Sequence, residues 1–299
     1  TPVKIALAYP DIYEIGMSNL AIPILYDLIS RQRGVLAERV YAPWVDMEKS
    51  LREDKMPLFS LETKRPLKEF DIVGFSLGYE LTYTNVLNML DLSGIPFIAR
   101  DRDRENVSYP LIIAGGGACF NPEPMSDFFD LFVIGEGEEV VLELLDVYKS
   151  LKGQGQNRPS KTEFLRQAAN IPGIYVPKFY QVQYYNESGI LKSFNSVIPD
   201  VPNKIKRRVV EALPAAVTHS VVPYVEVVHD RGVVEIQRGC TRGCRFCQAG
   251  VIYRPLRERP VEEVEQAVSQ IIRNCGYSEI SLLSLSTSDY AGIENLVSD

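Results

Sequence analysis

The stretch VVEIQRGCTRGCRFCQAG, residues 233–250, decides how this chain is read. Its first part, VVEIQRG, is an apolar, β-branched run that ends in glycine, the pattern of a buried strand giving way to a loop. The loop carries Cys240, Cys244 and Cys247 in C-x3-C-x2-C spacing, and a helix-forming stretch at about 261–274 and a second apolar run, EISLLSL at 279–285, follow it. Strand, loop, helix and strand make a βαβ unit, and in α/β folds chemistry collects at the carboxyl ends of the strands. Three thiolates on one short loop can ligate three irons of a 4Fe-4S cube and leave the fourth iron open for substrate chemistry. Gly239 and Gly243 let the backbone bend closely around such a cluster, Arg242 and Arg245 lie near its negative charge, and Phe246 is placed to shield it from water. The competing readings are a structural zinc, which needs a fourth ligand such as His229 or Cys275, and a disulfide, which the odd local count disfavours. Cys119 and Cys275 otherwise read as small buried hydrophobes, and His219 and His229 as structural residues in apolar, strand-like stretches.

Composition bounds the partners. The chain has 299 residues, 45% of them hydrophobic, and a net charge of −7, which is long enough for two cores and gives no general electrostatic footprint for nucleic acid. DNA is not an expected partner. A local basic patch such as KIKRR (204–208) reads first as a solvated or interdomain face and second as a substrate-facing surface. No run of 18 apolar residues occurs, and the opening TPVKIALAYP is a strand and not a signal peptide. A soluble, cytoplasmic protein with no membrane partner is expected. Five cysteines, three of them within eight residues, point to reduced thiols that bind metal and not to a disulfide framework.

Upstream, short apolar runs alternate with amphipathic stretches: VKIALAY (3–9), NLAIPILYDLISRQ (19–32), ERVYAP, DIVGFSL (71–77), a helix over about 81–92, IPFIA, LIIAGGG (111–117) and LFVIGEGE (131–138) before a final helix. This pattern predicts an α/β, Rossmann-like or flavodoxin-like domain over 1–152. RDRDRE (100–105) reads as a solvated loop. KGQGQNRPSK (152–161) reads as a linker, and IYVPKFYQVQYY, NESG and ILKSFNSV as a β-hairpin, so that 153–230 form a connector and 231–299 a further domain.

The cysteine spacing, with an aromatic residue immediately before the third cysteine, resembles the hallmark of the radical S-adenosylmethionine (SAM) superfamily. The resemblance implies a 4Fe-4S cluster on Cys240, Cys244 and Cys247, SAM chelated to the open iron, and an electron from an external donor that cleaves the sulfonium to a 5'-deoxyadenosyl radical. It also implies that 231–299 begin a (β/α)6 partial TIM-type barrel. About two of six units follow the cysteines, so a chain of this extent is expected not to turn over SAM alone. The second strand end, where the superfamily often has a Gly-Gly-Glu-like contact to the SAM amino group, carries Ser284, Ser286 and Ser288 instead, and Ser284 and Ser286 are the candidates for that contact.

DIYEIGMSN (11–19) resembles the D-x-H-x-x-G segment of cobalamin-binding domains, with Asp11 and Gly16 in register and Tyr13 in the histidine position. Ser76 and Gly115, Gly116 and Gly117 stand at successive strand ends, where that family lines the nucleotide-tail pocket, and FVIGEGEEV (132–140) resembles the closing segment. A phenol is a poor neutral-pH metal ligand, so any cobalamin here is expected to lack a protein nitrogen on its lower face. The resemblance implies a radical SAM enzyme that transfers a methyl or other radical-derived group to an unactivated carbon. Two other readings stay open: modification of RNA or a ribosomal component, since the cysteine loop and LLSLSTSDY are also similar to methylthiotransferases, and a cofactor- or metal-sensing module without turnover. The substrate is open between a small molecule and RNA.

Overall fold

A computed structural model of the chain describes residues 2–103, 108–153, 158–185 and 189–298. Part of the charged run (104–105), the middle of the expected linker (154–157) and most of the hairpin turn (186–188) lie outside the described residues. In chain order the elements are β1 (Val3–Tyr9), α1 (Tyr13–Gly16), α2 (Ala21–Ser30), β2 (Val35–Tyr41), α3 (Val45–Glu53), β3 (Ile72–Ser76), α4 (Tyr83–Leu92), β4 (Leu111–Gly115), β5 (Leu131–Val133), α5 (Glu138–Lys152), α6 (Lys161–Ala168), β6 (Ile174–Tyr175), β7 (Tyr180–Tyr185) and β8 (Ile190–Ser196). Then come β9 (Gly232–Glu235), β10 (Gln237–Arg238), α7 (Ala249–Ile252), β11 (Arg257–Glu258), α8 (Val261–Cys275), β12 (Ile280–Leu283) and α9 (Ile293–Ser298). The fold is mixed α/β, and it divides into two compact units, Thr1–Ile12 with Gln32–Val209 and Tyr13–Arg31 with Val210–Asp299.

The first unit is a six-stranded sheet in the order β2-β1-β3-β4-β5-β6, parallel except for β6. Its inner strands are near-continuous apolar runs because helices or loops cover both faces of a parallel sheet. The order reverses between β1 and β3, and such a switch point opens a crevice beyond the carboxyl ends of those strands. Phe75, Phe129, Phe132 and Tyr175 run through the core with successive ring centroids 5.9, 5.1 and 6.1 Å apart.

Several expectations are corrected here. IPFIA is not a strand: Pro96 lacks an amide proton for a ladder, β4 already occupies the edge of β3, and the segment leads into a short 3-10 turn at Ala99–Asp103. The charged run that follows is not wholly solvated, because Arg102 is buried. Its guanidinium donates to the carbonyls of Pro96, Phe97 and Phe128 and to Asp130 Oδ1 at 3.2 Å. The boundary expected at 152 falls inside the first unit, since β6 extends the main sheet antiparallel to β5 and Tyr148 of α5 packs on Phe164 of α6 at 5.6 Å. Only β7 and β8 form the expected hairpin. In the basic stretch, Arg208 adds a β-bridge to Gly135 and pairs with Glu139 and Glu143, so this arginine is spent on the fold.

The second unit is built on the parallel pair β9·β12 with α8 between them in sequence. Helix α8 buries Val264, Ala267 and Ile271 on one face, and Glu262 and Glu263 in its first turn with Arg273 in its last complement the helix dipole. The segment 13–31 belongs here through two long-range bonds: the Tyr224 amide donates to the Tyr13 hydroxyl, and the His229 amide to Ser18 Oγ, each at 3.0 Å. Residues 211–231 contain no strand, contrary to the strand-like reading of His219 and His229, and both histidines are exposed. Among the described residues no helix is long and apolar enough to cross a membrane.

Asp130 is buried, accepts from Arg102 and the Ile112 amide, and lies 2.7 Å from Lys161 Nζ. Asp130→Ala strands the Arg102 guanidinium, and breaking such a buried pair costs about 3–5 kcal/mol. Urea unfolding should show this loss with little change in slope; a loss under about 1 kcal/mol contradicts the assignment.

Candidate functional site

The cysteines sit on a loop whose neck is closed by antiparallel pairing of β10 with β11, Gln237 opposite Glu258 and Arg238 opposite Arg257. At the neck Gly239 has φ +89, and a Cβ there would fall 2.5 Å from the Pro255 carbonyl oxygen and 2.6 Å from that of Tyr253. Only glycine tolerates both the left-handed backbone and that approach. Arg257 is buried and donates to the Val210 carbonyl at 2.7 Å and to Pro255 at 3.2 Å, bracing the neck from within the unit. Arg259 donates to the carbonyls of Glu235 and Pro214, and Tyr290 donates to the Arg259 carbonyl.

Inside the loop two sulfurs already accept from the backbone. The Arg242 amide donates to Cys240 Sγ at 3.5 Å, and the Gly250 amide, at the start of α7, to Cys247 Sγ at 3.4 Å. Bonds of this kind stabilise thiolate charge and help to set cluster potentials. Cys240 and Cys247 are half-buried and Cys244 is exposed. Among the described residues no three Cys, His, Asp or Glu side chains are gathered as a metal cage. The donor set and the amide bonds therefore fit a thiolate-bound cluster, while the sulfurs are not convergent. Phe246, expected as a shield, is 92% exposed. The proposed fourth zinc ligands are engaged elsewhere: Cys275 Sγ lies against the Thr218 and Ser220 carbonyls, and the His229 ring lies by Arg231.

The turn after β12 reaches the same loop. Arg242 forms a two-pronged ion pair with Asp289, Nε to Oδ2 at 2.5 Å and Nη2 to Oδ1. Ser286 Oγ donates to Asp289 Oδ2 at 2.7 Å, and Ser284 Oγ pairs with Thr287 Oγ1 at 2.9 Å. Both expected SAM-contacting hydroxyls are thus used within their own turn. Asp289 was missed in the sequence, although an acid near the second strand end, matched with an arginine between the cysteines, is a visible charge complement. Its carboxyl is held at about 2 by the hydrogen bonds from Arg242 and Ser286.

At the carboxyl edge of the first unit, Ser76 pairs in register with Gly115. Gly116 has φ +112, and a Cβ there would fall 2.4 Å from the Leu77 carbonyl oxygen; the space that glycine leaves is filled by the chain itself. Gly117 opens the next short turn. Asp11 accepts from the Ile12 amide at 2.8 Å and from the Tyr79 hydroxyl at 3.0 Å. Tyr79 is a second residue that sequence reading passed over. Asp11 ends in the first unit, whereas Tyr13 and Gly16 belong to the second, where the Tyr13 oxygen receives the Tyr224 amide. Cys119, nearby in sequence, is buried, with its thiol pushed up to about 12 by desolvation, which makes it an inert core residue. A cavity of about 430 Å³ lies at the opposite, amino-terminal edge of the sheet, among Asp71, Arg102, Leu111, Arg158 and Lys161.

Comparison with known proteins decides the family. The family described as radical SAM proteins, N-terminal, matches residues 21–177, and the radical SAM superfamily matches 234–298. The chain belongs to the radical SAM proteins. It is 25% identical over 303 aligned positions to the uncharacterized protein MJ0966 of Methanocaldococcus jannaschii, covering 98% of this chain and 51% of that one. It is 32% identical over 91 residues to the ribosomal protein uS12 methylthiotransferase RimO of Xanthomonas campestris, covering 27% of this chain and 20% of that one. Among solved structures it resembles the radical SAM methyltransferase TsrM of Kitasatospora setae, determined with tryptophan and a SAM analogue, at 13% identity and TM-score 0.49, covering 99% of this chain and 50% of that one. The radical SAM chain thus spans about half the length of MJ0966, the relative it matches almost from end to end.

Two tests follow from the site. Gly239→Ala should cost more than about 1 kcal/mol because the native φ and the carbonyl approach both exclude a side chain; an unchanged melting temperature contradicts the pinched neck. Because its carboxyl is depressed from 3.8 to about 2, the Asp289 pair is intact above the ordinary carboxylate range and is lost as pH falls through about 2. Carboxyl carbon-13 NMR should therefore titrate near 2, and at a higher pH in Arg242→Gln, where the Ser286 hydrogen bond remains; equal midpoints contradict the pairing.

Proposed function

We propose that this chain carries the cluster- and cofactor-binding parts of a radical SAM enzyme that transfers a methyl or other radical-derived group to an unactivated carbon. The observation that carries this reading is the cysteine loop, pinned at its neck beyond β9, with amide protons already on two of its sulfurs. Cys240, Cys244 and Cys247 would hold the 4Fe-4S cluster, which when bound supplies the electron, drawn from an external donor, for reductive cleavage of SAM. The chain's own residues do the rest: Gly239 keeps the neck closed, and the Arg242 and Gly250 amides stabilise thiolate charge. The arrangement β9-α8-β12 supports reading this unit as the start of a (β/α)6 partial barrel.

The strand order of the first unit, with its switch point at β1 and β3, supports a flavodoxin-like, cobalamin-binding-type domain. Asp11, Ser76, Gly115 and Gly117 stand at the carboxyl edge of the sheet and would hold the cofactor, which would serve as a methyl carrier, whereas the space at Gly116 is taken up by the chain's own crossing at Leu77. Tyr13, in the position where the motif has histidine, has its oxygen engaged by the Tyr224 amide and offers no nitrogen ligand to a metal. A methylthiotransferase-like enzyme acting on RNA or a ribosomal component is the second reading, favoured by the 91-residue match to RimO.

The test is spectroscopic. In the anaerobically reconstituted and reduced chain, SAM should change the electron paramagnetic resonance signal of the cluster, and a signal indifferent to SAM contradicts the radical SAM role. Hydroxocobalamin should remain with the chain through gel filtration. Loss of all cobalamin removes that part of the proposal and leaves the methylthiotransferase-like reading.

A further inference from the structure

We infer that Asp289 is a positioning residue for the cluster: it fixes the Arg242 guanidinium in a two-pronged ion pair and so sets the charge that the cluster feels. The inference rests on the cluster reading above and adds a determinant outside the cysteine loop. Arg242 stands two residues after Cys240 and two before Cys244, and its amide already donates to Cys240 Sγ. Its side chain is engaged at both Nε and Nη2 by Asp289. Asp289 is held in turn by the Ser286 hydroxyl at 2.7 Å, and its own amide donates to the Ser286 carbonyl at 3.0 Å. The same turn is tied to the base of the loop: the Ala291 amide donates to Glu258 Oε1 at 3.1 Å, and the Tyr290 hydroxyl to the Arg259 carbonyl at 2.7 Å. One turn, 284–291, therefore grips the cysteine loop at its crown through Arg242 and at its neck through Glu258 and Arg259.

The grip has an electrostatic consequence. A thiolate-bound cluster is anionic and becomes more so on reduction, so a cation beside it favours the reduced state. An arginine between two ligands would do this unless a counter-ion holds it. Asp289 supplies that counter-ion through two bonds from a planar fork, a geometry that lysine or a single hydrogen bond does not reproduce. As an exposed pair it adds little to stability; its effect is on where the guanidinium points. This accounts for Ser286 as well, which orients the acid that orients the arginine.

The test is a redox titration of the reconstituted chain, followed by the cluster's electron paramagnetic resonance signal, in the wild type, Asp289→Asn, Asp289→Glu, Arg242→Gln and the Arg242→Gln/Asp289→Asn double variant. Asp289→Asn should move the midpoint to a less negative potential, and Asp289→Glu, which keeps the ion pair, should stay near the wild type. In the Arg242→Gln background the Asp289→Asn shift should fall to less than a third, because the acid acts through the arginine. An unmoved midpoint in Asp289→Asn overturns the inference, as does an undiminished shift in the Arg242→Gln background, and both leave the cluster reading standing. A wild-type chain that takes up no iron overturns the cluster reading and this inference together.

Discussion

The second unit depends on the closing of one loop. Gly239 can lie against the Tyr253 and Pro255 carbonyls only because it has no side chain, and that approach sits beside the two-residue pairing of β10 with β11. Without it the cysteines would hang from an open strand end, and the entropy of gathering three thiols would fall on metal binding alone. With it the loop leaves β9 as a pinched bulge, braced by Arg257 and Arg259, whose guanidiniums satisfy carbonyls from residues upstream of β9. Amide donors already stand on Cys240 and Cys247; what remains for a bound cluster is to draw the sulfurs together.

The cysteine motif was legible because it is local: spacing, glycines and the following helix all fall within one short stretch. The parallel sheet was legible for a similar reason, since apolar runs such as VKIALAY and LIIAG can be buried on both faces only in such a layer. What the sequence hid depends on distant partners. Arg102 looks like a surface charge until the Phe97 and Phe128 carbonyls and Asp130 close around it. Ile174 and Tyr175 look like the beginning of a hairpin until Val133 and Phe132 offer them a sheet edge. Asp289 acquires a role only across the 47 residues that separate it from Arg242.

The cofactor-like segment at the start of the chain shows the same limit differently. Its residues keep the order of a D-x-H-x-x-G motif, yet Asp11 is engaged by Tyr79 in one compact unit and Tyr13 by the Tyr224 amide in the other. The glycine at 116, which the motif would assign to ligand clearance, is required by the chain's own crossing at Leu77. A sequence pattern constrains residue type; only the packing shows which of several physical demands for that type is being met.

The central claim is that Cys240, Cys244 and Cys247 hold a 4Fe-4S cluster, and the most direct measurement is iron, sulfide and zinc per chain after anaerobic reconstitution of the wild type and of the triple Cys→Ala variant. The account predicts about four iron and four sulfide in the wild type, a brown chromophore near 400 nm, and neither in the triple variant. Stoichiometric zinc in place of iron, or equal iron in the variant, would contradict it.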